Sequence, residues 1–352
     1  MLSIGMLPGG HGDCLWIEYG DPTAPRRVLV DGGAAGTYKR ALRERLRGLP
    51  EQERRFELLV VTHIDADHIT GILDLLEDSE ARFEAGDSWF NGYRHLPDET
   101  PETLGPVQGE RLTDLLVTRP WNRAFSKAAV AVQADGDSPR LELEGGLVLT
   151  LLSPTPGTLA DLKPEWEKEV RKAGLDPTQP RPGDVESPEG FALLGSPDVE
   201  TLAAEAFSED DGKANGSSIA MLAEFEGRRL LLAGDAHPEI VTTAIKRLAG
   251  GGRLAVDACK LPHHGSKANV SRQFLQALDC AKWLFSTNGA YFGHPDRQAV
   301  ARVIKWGGAQ PELVFNYRSK YNDVWDAKPL RDQYGYKVSY PASNAEGIVV
   351  EW

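Results

Sequence analysis

The 352-residue chain carries 52 acidic against 39 basic side chains, a formal charge of −13, and is 41% hydrophobic. That is a globular composition, long enough for one large domain or two ordinary ones, and it argues against the broad basic face that grips duplex nucleic acid. There is no apolar run of about 18 residues to cross a membrane, no basic and apolar leader in MLSIGMLPGGHGDCLW, and three distant cysteines (Cys14, Cys259, Cys280) do not make a disulfide framework. A cytoplasmic protein without membrane contact is expected.

Residues 13–20 (DCLWIEYG) and 27–31 (RVLVD) read as short strands, with Gly20, Asp21, Pro22 and Pro25 supplying the turn. The second exits into DGGAAG, and a basic amphipathic helix follows over 38–47. FELLVVTH (56–63) is nearly continuously apolar, as a strand buried on both faces would be, and ITGILDLLED continues as helix. An alternating segment spans 141–152, and 218–224 with 229–233 form a hairpin across Glu226-Gly227. A helix over 238–249, a short strand into KLPHH, a helix over 271–279 and the strand AKWLFST come next. The stretch 155–214, rich in Pro, Glu, Asp and Gly with one helix around LKPEWEKEVRKAG, reads as an insertion or lid in a single domain 1–352. The tail ends in an apolar strand, GIVVEW. Strands and helices in this order predict an α/β sandwich of two sheets with flanking helices.

The densest chemistry lies in THIDADH, residues 62–68. A buried strand delivers His63 to its carboxyl end, where open α/β sheets place their ligands, and Asp65, Asp67 and His68 follow within one turn. Nitrogen and oxygen donors so close together suit Zn²⁺, Mn²⁺ or Fe. Carboxylates crowded without a basic neighbour are costly unless a cation is bound. Asp235, directly after the apolar strand in LLLAGDAH, is placed to bridge two metals about 3.5–4 Å apart. His263 and His264 follow the next strand in KLPHHGS.

The order GxGD, LVDGG, THxDxDHxTG, NxSS, LLxGD, HHGS, GHP, spanning residues 9 to 296, resembles the metallo-β-lactamase superfamily. More narrowly it is similar to the branch holding the hydrolase domain of the competence protein ComEC, related phosphodiesterases and phosphorylcholine esterases. The resemblance implies an αββα sandwich with a dinuclear centre at one sheet edge. His63 and Asp65 would hold one ion, Asp67 and His68 the other, with Asp235 between them and His264 completing the second site. Two departures stand out. Asp65 replaces an imidazole, making the first site harder and more anionic, and Asn215 stands where a further histidine is expected.

The sequence therefore predicts a hydrolase with two divalent ions, Zn or Mn, whose activated water attacks a phosphodiester. Substrates in this class include single-stranded DNA or RNA, a nucleotide, or a phosphocholine-type ester; the acidic surface favours small or short ones. Asp67, His294 and His263 are the expected catalytic residues, with His294 acting as general acid or phosphate contact. Asp31 is expected to orient ligands, and Asp13 to do the same or approach the centre directly. His11 and His263 line the pocket, and Ser266 and Lys267 could hold a phosphoryl oxygen. His95 and His237 read as structural, and Cys14 as a core residue. Carbon-ester, lactone or thioester hydrolysis is the alternative chemistry, a non-catalytic metal-binding partner module the alternative class. A protein partner is left open.

Overall fold

The computed structural model describes residues 1–96, 107–133, 138–173 and 197–352. Strands β1 (Leu2–Met6), β2 (Leu15–Tyr19), β3 (Arg26–Val30), β4 (Arg55–Val60) and β5 (Glu84–Trp89) build the first sheet. The second holds β6 (Arg140–Glu142), β7 (Val148–Ser153), β8 (Ala220–Phe225), β9 (Arg228–Leu232), β10 (Leu254–Lys260), β11 (Leu278–Phe285), β12 (Glu312–Phe315) and β13 (Lys337–Ser339). The last strand, β14 (Ile348–Glu351), returns to the first sheet, which runs β14-β1-β2-β3-β4-β5; the second runs β13 to β6 in order. Ile4 lies opposite Val350 on one side and Ile17 on the other.

Strand alternation divides the apolar side chains between two faces. In β2 and β3, Leu15, Ile17, Val28 and Val30 point into a core shared with Met221, Ala223, Leu230 and Leu232 of the second sheet. Trp16 and Leu29 point outward, under α1 (Arg43–Arg47), α2 (Ala66–Glu77), α3 (Val107–Leu116) and α4 (Pro156–Ala173). The short α6 (Lys213–Gly216) packs against α4, with Ala214 on the same core. On the far side, α5 (Val199–Ala204), α7 (Pro238–Leu248), α8 (Arg272–Gln276), α9 (Arg297–Trp306) and α10 (Lys328–Tyr334) follow in chain order. There Val241, Phe274, Val300 and Leu330 close over Leu222, Leu231 and Trp283. Helices, sheet, sheet and helices form the four-layer αββα sandwich expected from the sequence.

Two elements differ from expectation. The helix foreseen over 271–279 stops at Gln276, because Leu278 pairs in parallel with Leu254 and opens β11. The alternating segment 141–152 is a hairpin of β6 and β7, turned at Gly145 and Gly146, both at positive φ. Of the stretch read as a lid, α4 buries Leu159, Leu162 and Trp166 in the outer core, and α5 packs Val199 and Ala203 into the core under α9. Residues 174–196, the centre of that stretch, lie outside the described residues. Among the described residues no helix is long and apolar enough to cross a membrane.

Within the sheets β3 and β4 run parallel, as do β9, β10 and β11. Their carboxyl ends carry the residues the sequence singled out.

Candidate metal centre

Strand β4 ends at Val60, and the chain passes through Thr62 to His63 before α2 starts with Asp65 as its N-cap. Asp31, at the exit of β3, fixes this turn. Its carboxylate accepts the Thr62 backbone N–H (2.7 Å), the Thr62 hydroxyl (2.8 Å) and His68 Nδ1–H (2.7 Å). The glycines of DGG and of HxTG have a steric reason. The Gly32 N–H donates to the His68 carbonyl at 2.8 Å, and a Cβ on Gly71 would lie 1.8 Å from the Gly32 carbonyl oxygen. Likewise a Cβ on Gly12 would lie 1.7 Å from the Asp67 carbonyl oxygen. Backbone meets backbone here, so α2 can sit on these loops only where no side chain intervenes.

From the second sheet, β9 delivers Asp235 and β10 delivers His263 and His264. Four imidazole Nε2 atoms surround a single oxygen, Asp235 Oδ2: His68 at 3.3 Å, His264 at 3.4 Å, and His63 and His263 at 3.9 Å each. Asp65 Oδ2 stands 3.5 Å from His63 Nε2, and Asp67 Oδ2 3.4 Å from His264 Nε2. Donor atoms of Asp13, His68, Asp235 and His264 all fall within 4.8 Å of one another.

The hydrogen bonds behind these rings set their tautomers. His68 Nδ1 faces a carboxylate and His264 Nδ1 faces the Ser286 carbonyl at 2.9 Å, so both Nδ1 atoms must carry the proton. The Thr62 hydroxyl is spent on Asp31, so at 3.0 Å it accepts from His63 Nδ1. His263 Nδ1 donates to Asn269 Oδ1 at 3.0 Å, with Asp210 Oδ2 at 3.3 Å. With each ring neutral, as a metal ligand must be, every Nε2 is left with a lone pair aimed inward. His68 and His264 present theirs to each other at 3.2 Å, and His63 Nε2 is buried with no hydrogen-bond partner. Such an arrangement is repulsive without a cation between the rings, and imidazoles and carboxylates fit a divalent transition ion.

With no cation among them, the clustered carboxylates draw protons onto the rings instead, so protons and a metal ion would compete for the same Nε2 atoms. Burial alone would lower the His68 and His264 pKa values, yet Asp235 above all raises both well above the ordinary range. For Asp235 burial is outweighed by His264, His68 and His263, which hold it well below the carboxylate range. Burial is outweighed again at Asp13, which Lys260 and His264 hold at about 2.

Around this core, His294 lies on a loop with its ring 5.4 Å from that of His263, and Nδ1 is 3.5 Å from Asp296. Burial lowers its pKa, leaving a neutral ring near pH 7. His11 stacks on Tyr291. Asn215 donates to Asp210 at 2.7 Å and sits 3.4 Å from His263 Nδ1. The Ser266 hydroxyl accepts the Ala268 N–H within its own turn, and Lys267 is exposed. His95 packs against Trp121, and His237 meets the Gly212 carbonyl. Burial pushes the Cys14 thiol up.

Sequence reasoning missed Lys260. It is fully buried; its ammonium pairs with Asp13, donates to the Gly234 carbonyl at 3.2 Å and lies 3.8 Å from Asp235 Oδ1. The available signal was a lysine closing the strand LAVDACK, directly before LPHH. Asp210, Asn269 and Ser218 were missed too: Asp210 meets His263 across 53 residues and Ser218 meets His63 across 155, while Asn269, six residues from His263, gains its role only once Asp210 is beside it.

No family model matches the sequence, and no curated protein matches it. Solved structures of similar shape include Zn²⁺-bound PqqB from Methylobacterium extorquens (13% identity, all of both chains, TM-score 0.45). Human tRNase Z, short form, aligns at 10% identity over 99% of this chain and 98% of its own, TM-score 0.44. The metallo-β-lactamase fold protein YhfI from Bacillus subtilis aligns at 9% over all of both chains, TM-score 0.41.

Proposed function

We propose that this chain is a dinuclear metal-dependent hydrolase of the metallo-β-lactamase type, acting on phosphodiesters. The observation that carries the metal reading is the ring of four imidazole lone pairs around Asp235 Oδ2, each ring locked from behind by an acceptor. His63 and Asp65 are assigned to one ion, Asp67, His68 and His264 to the other, with Asp235 between. Two ions so held would polarise a phosphoryl oxygen and acidify a water. Asp65 in place of an imidazole favours Zn²⁺ or Mn²⁺ over softer ions. Phosphodiesters are preferred because the motif order resembles the ComEC-type branch, and an acidic chain suits a small phosphodiester or a short single strand over duplex.

Elemental analysis of the purified protein is expected to find up to two Zn or Mn per chain, with hydrolysis of bis-p-nitrophenyl phosphate removed by chelation and restored by Mn²⁺ or Zn²⁺. Protein that takes up no transition metal even on reconstitution would sink the reading. Turnover of lactones or thioesters in preference to the phosphodiester would redirect it to carbon esters.

His294 is assigned to the substrate side of the centre. Its ring is neutral near pH 7, so it can accept a hydrogen bond or proton there, and becomes a donor once an anionic phosphoryl group raises its pKa. His294→Ala should keep its metal while kcat falls roughly 10²-fold or more. A drop in metal content would instead place His294 among the ligands; an unchanged kcat would make the GHP turn structural.

A further inference from the structure

Resting on the two-ion reading, we infer that His263 is a ligand of the first ion, taking the coordination role left open by Asn215, with Asp210 and Asn269 as its positioning pair. Three observations carry this. First, His263 Nε2 stands 3.9 Å from Asp235 Oδ2, the same distance as His63 Nε2, which belongs to that ion. Second, His263 has the support typical of a metal-bound imidazole, a carboxylate and an amide oxygen on Nδ1. Asp210 is itself fixed by the side-chain amides of Asn215 (2.7 Å) and Asn269 (2.9 Å) and the Gly212 N–H (2.9 Å). Asn215 therefore acts as a strut for the histidine. Its nitrogen is committed to Asp210, while its buried Oδ1 has no hydrogen-bond partner.

Third, the backbone is bent to present both histidines. His263 (φ 47°) and His264 (φ 55°) lie in succession in the left-handed region, before Gly265 at φ 85°. That conformation is unfavourable for residues with a Cβ. It persists because the His263 N–H is held by the Gly234 carbonyl at 3.0 Å and the Ser266 N–H by the His263 carbonyl at 2.8 Å. A pocket-lining histidine would need no such turn. Two adjacent residues of an extended chain point to opposite sides; two left-handed ones bring both rings to one carboxylate oxygen.

The test is metal binding by the full chain, followed without reference to turnover. Wild type, His263→Gln and Asp210→Asn are stripped with chelator, checked by circular dichroism, and titrated with Mn²⁺ while the electron paramagnetic resonance spectrum is recorded. Wild type is expected to bind two ions with an exchange-coupled signal. His263→Gln should retain one ion, lose the coupled signal and bind the other at least about 10²-fold more weakly; Asp210→Asn should weaken the same ion by about 10- to 100-fold. Two tightly bound, coupled ions in His263→Gln would overturn the assignment while leaving the two-ion reading intact. No more than one ion in wild type would overturn that reading and this inference with it. Should His263→Gln fail to fold, Asp210→Asn decides, since unchanged affinity there contradicts the positioning role.

Discussion

Asp235→Ala is expected to emerge folded, free of both metal ions and without measurable hydrolysis. One oxygen of this carboxylate lies 3.3–3.9 Å from four imidazole nitrogens on two separate segments, so on the two-ion reading it is the point at which the half-sites would meet. Two unit charges 4 Å apart repel by about 4 kcal/mol at an effective dielectric of 20, and two divalent ions by about four times that. On the two-ion reading, Asp235 and the acidic ligands would offset that repulsion. Without Asp235 two such ions would be held only by groups belonging to one or the other. Activity should fall at least about 10³-fold, beyond what one lost electrostatic contact usually costs. The fold should survive, because Lys260 keeps Asp13 and the Gly234 carbonyl as partners. Elemental analysis beside circular dichroism and the phosphodiesterase rate makes the check. A variant that still holds two ions would show that Asp235 is not the hub, and the carboxylates at Asp65 and Asp67 would have to carry both sites.

Lys260→Met should be the most destabilising single change in the centre. The lysine is fully buried, two residues beyond Ala258 of the inter-sheet core, and its ammonium neutralises Asp13, which is only 1% exposed. Methionine fills similar space and removes only the charge, leaving a desolvated carboxylate against His264. Breaking a buried pair from one side costs about 3–5 kcal/mol, whereas replacing both partners by apolar groups is often close to neutral. Denaturant unfolding should therefore give a loss in that range for Lys260→Met. A large part should return in the double variant Lys260→Met/Asp13→Leu, although its metal affinity stays low because Asp13 also lies 3.3 Å from His264 Nδ1. Equal stability of Lys260→Met and wild type would mean the pair contributes nothing to the fold.

Much of the architecture was legible because local pattern and tertiary role coincide. FELLVV is apolar on both faces apart from Glu57, which pairs with Arg26, because β4 is covered on both, by the inter-sheet core and by α2. Glu226-Gly227 turns a hairpin because both residues take positive φ, at 47° and 80°. Where the two diverge, tertiary pairing wins. Residues after Gln276 have helical periodicity nearby, yet the register Leu254↔Leu278 draws them into the sheet. The first strand, LSIGM, is short, lacks alternation and is defined by what lies beside it, with Glu351 opposite Ser3 from the far end of the chain.

The sequence by itself determined the inventory of the centre. Donor types cluster at strand ends with glycines between them, and that chemistry is local, since His63, Asp65, Asp67 and His68 share one turn. Only the tertiary structure decided the use of each donor. That Asp31 grips His68 from behind, that Asn215 braces His263, and that a buried lysine underlies Asp13 depend on contacts between residues 37, 48 and 247 positions apart. A hydrogen bond is directional, and which nitrogen of an imidazole is left free depends on what stands on its other side; no spacing along the chain encodes that.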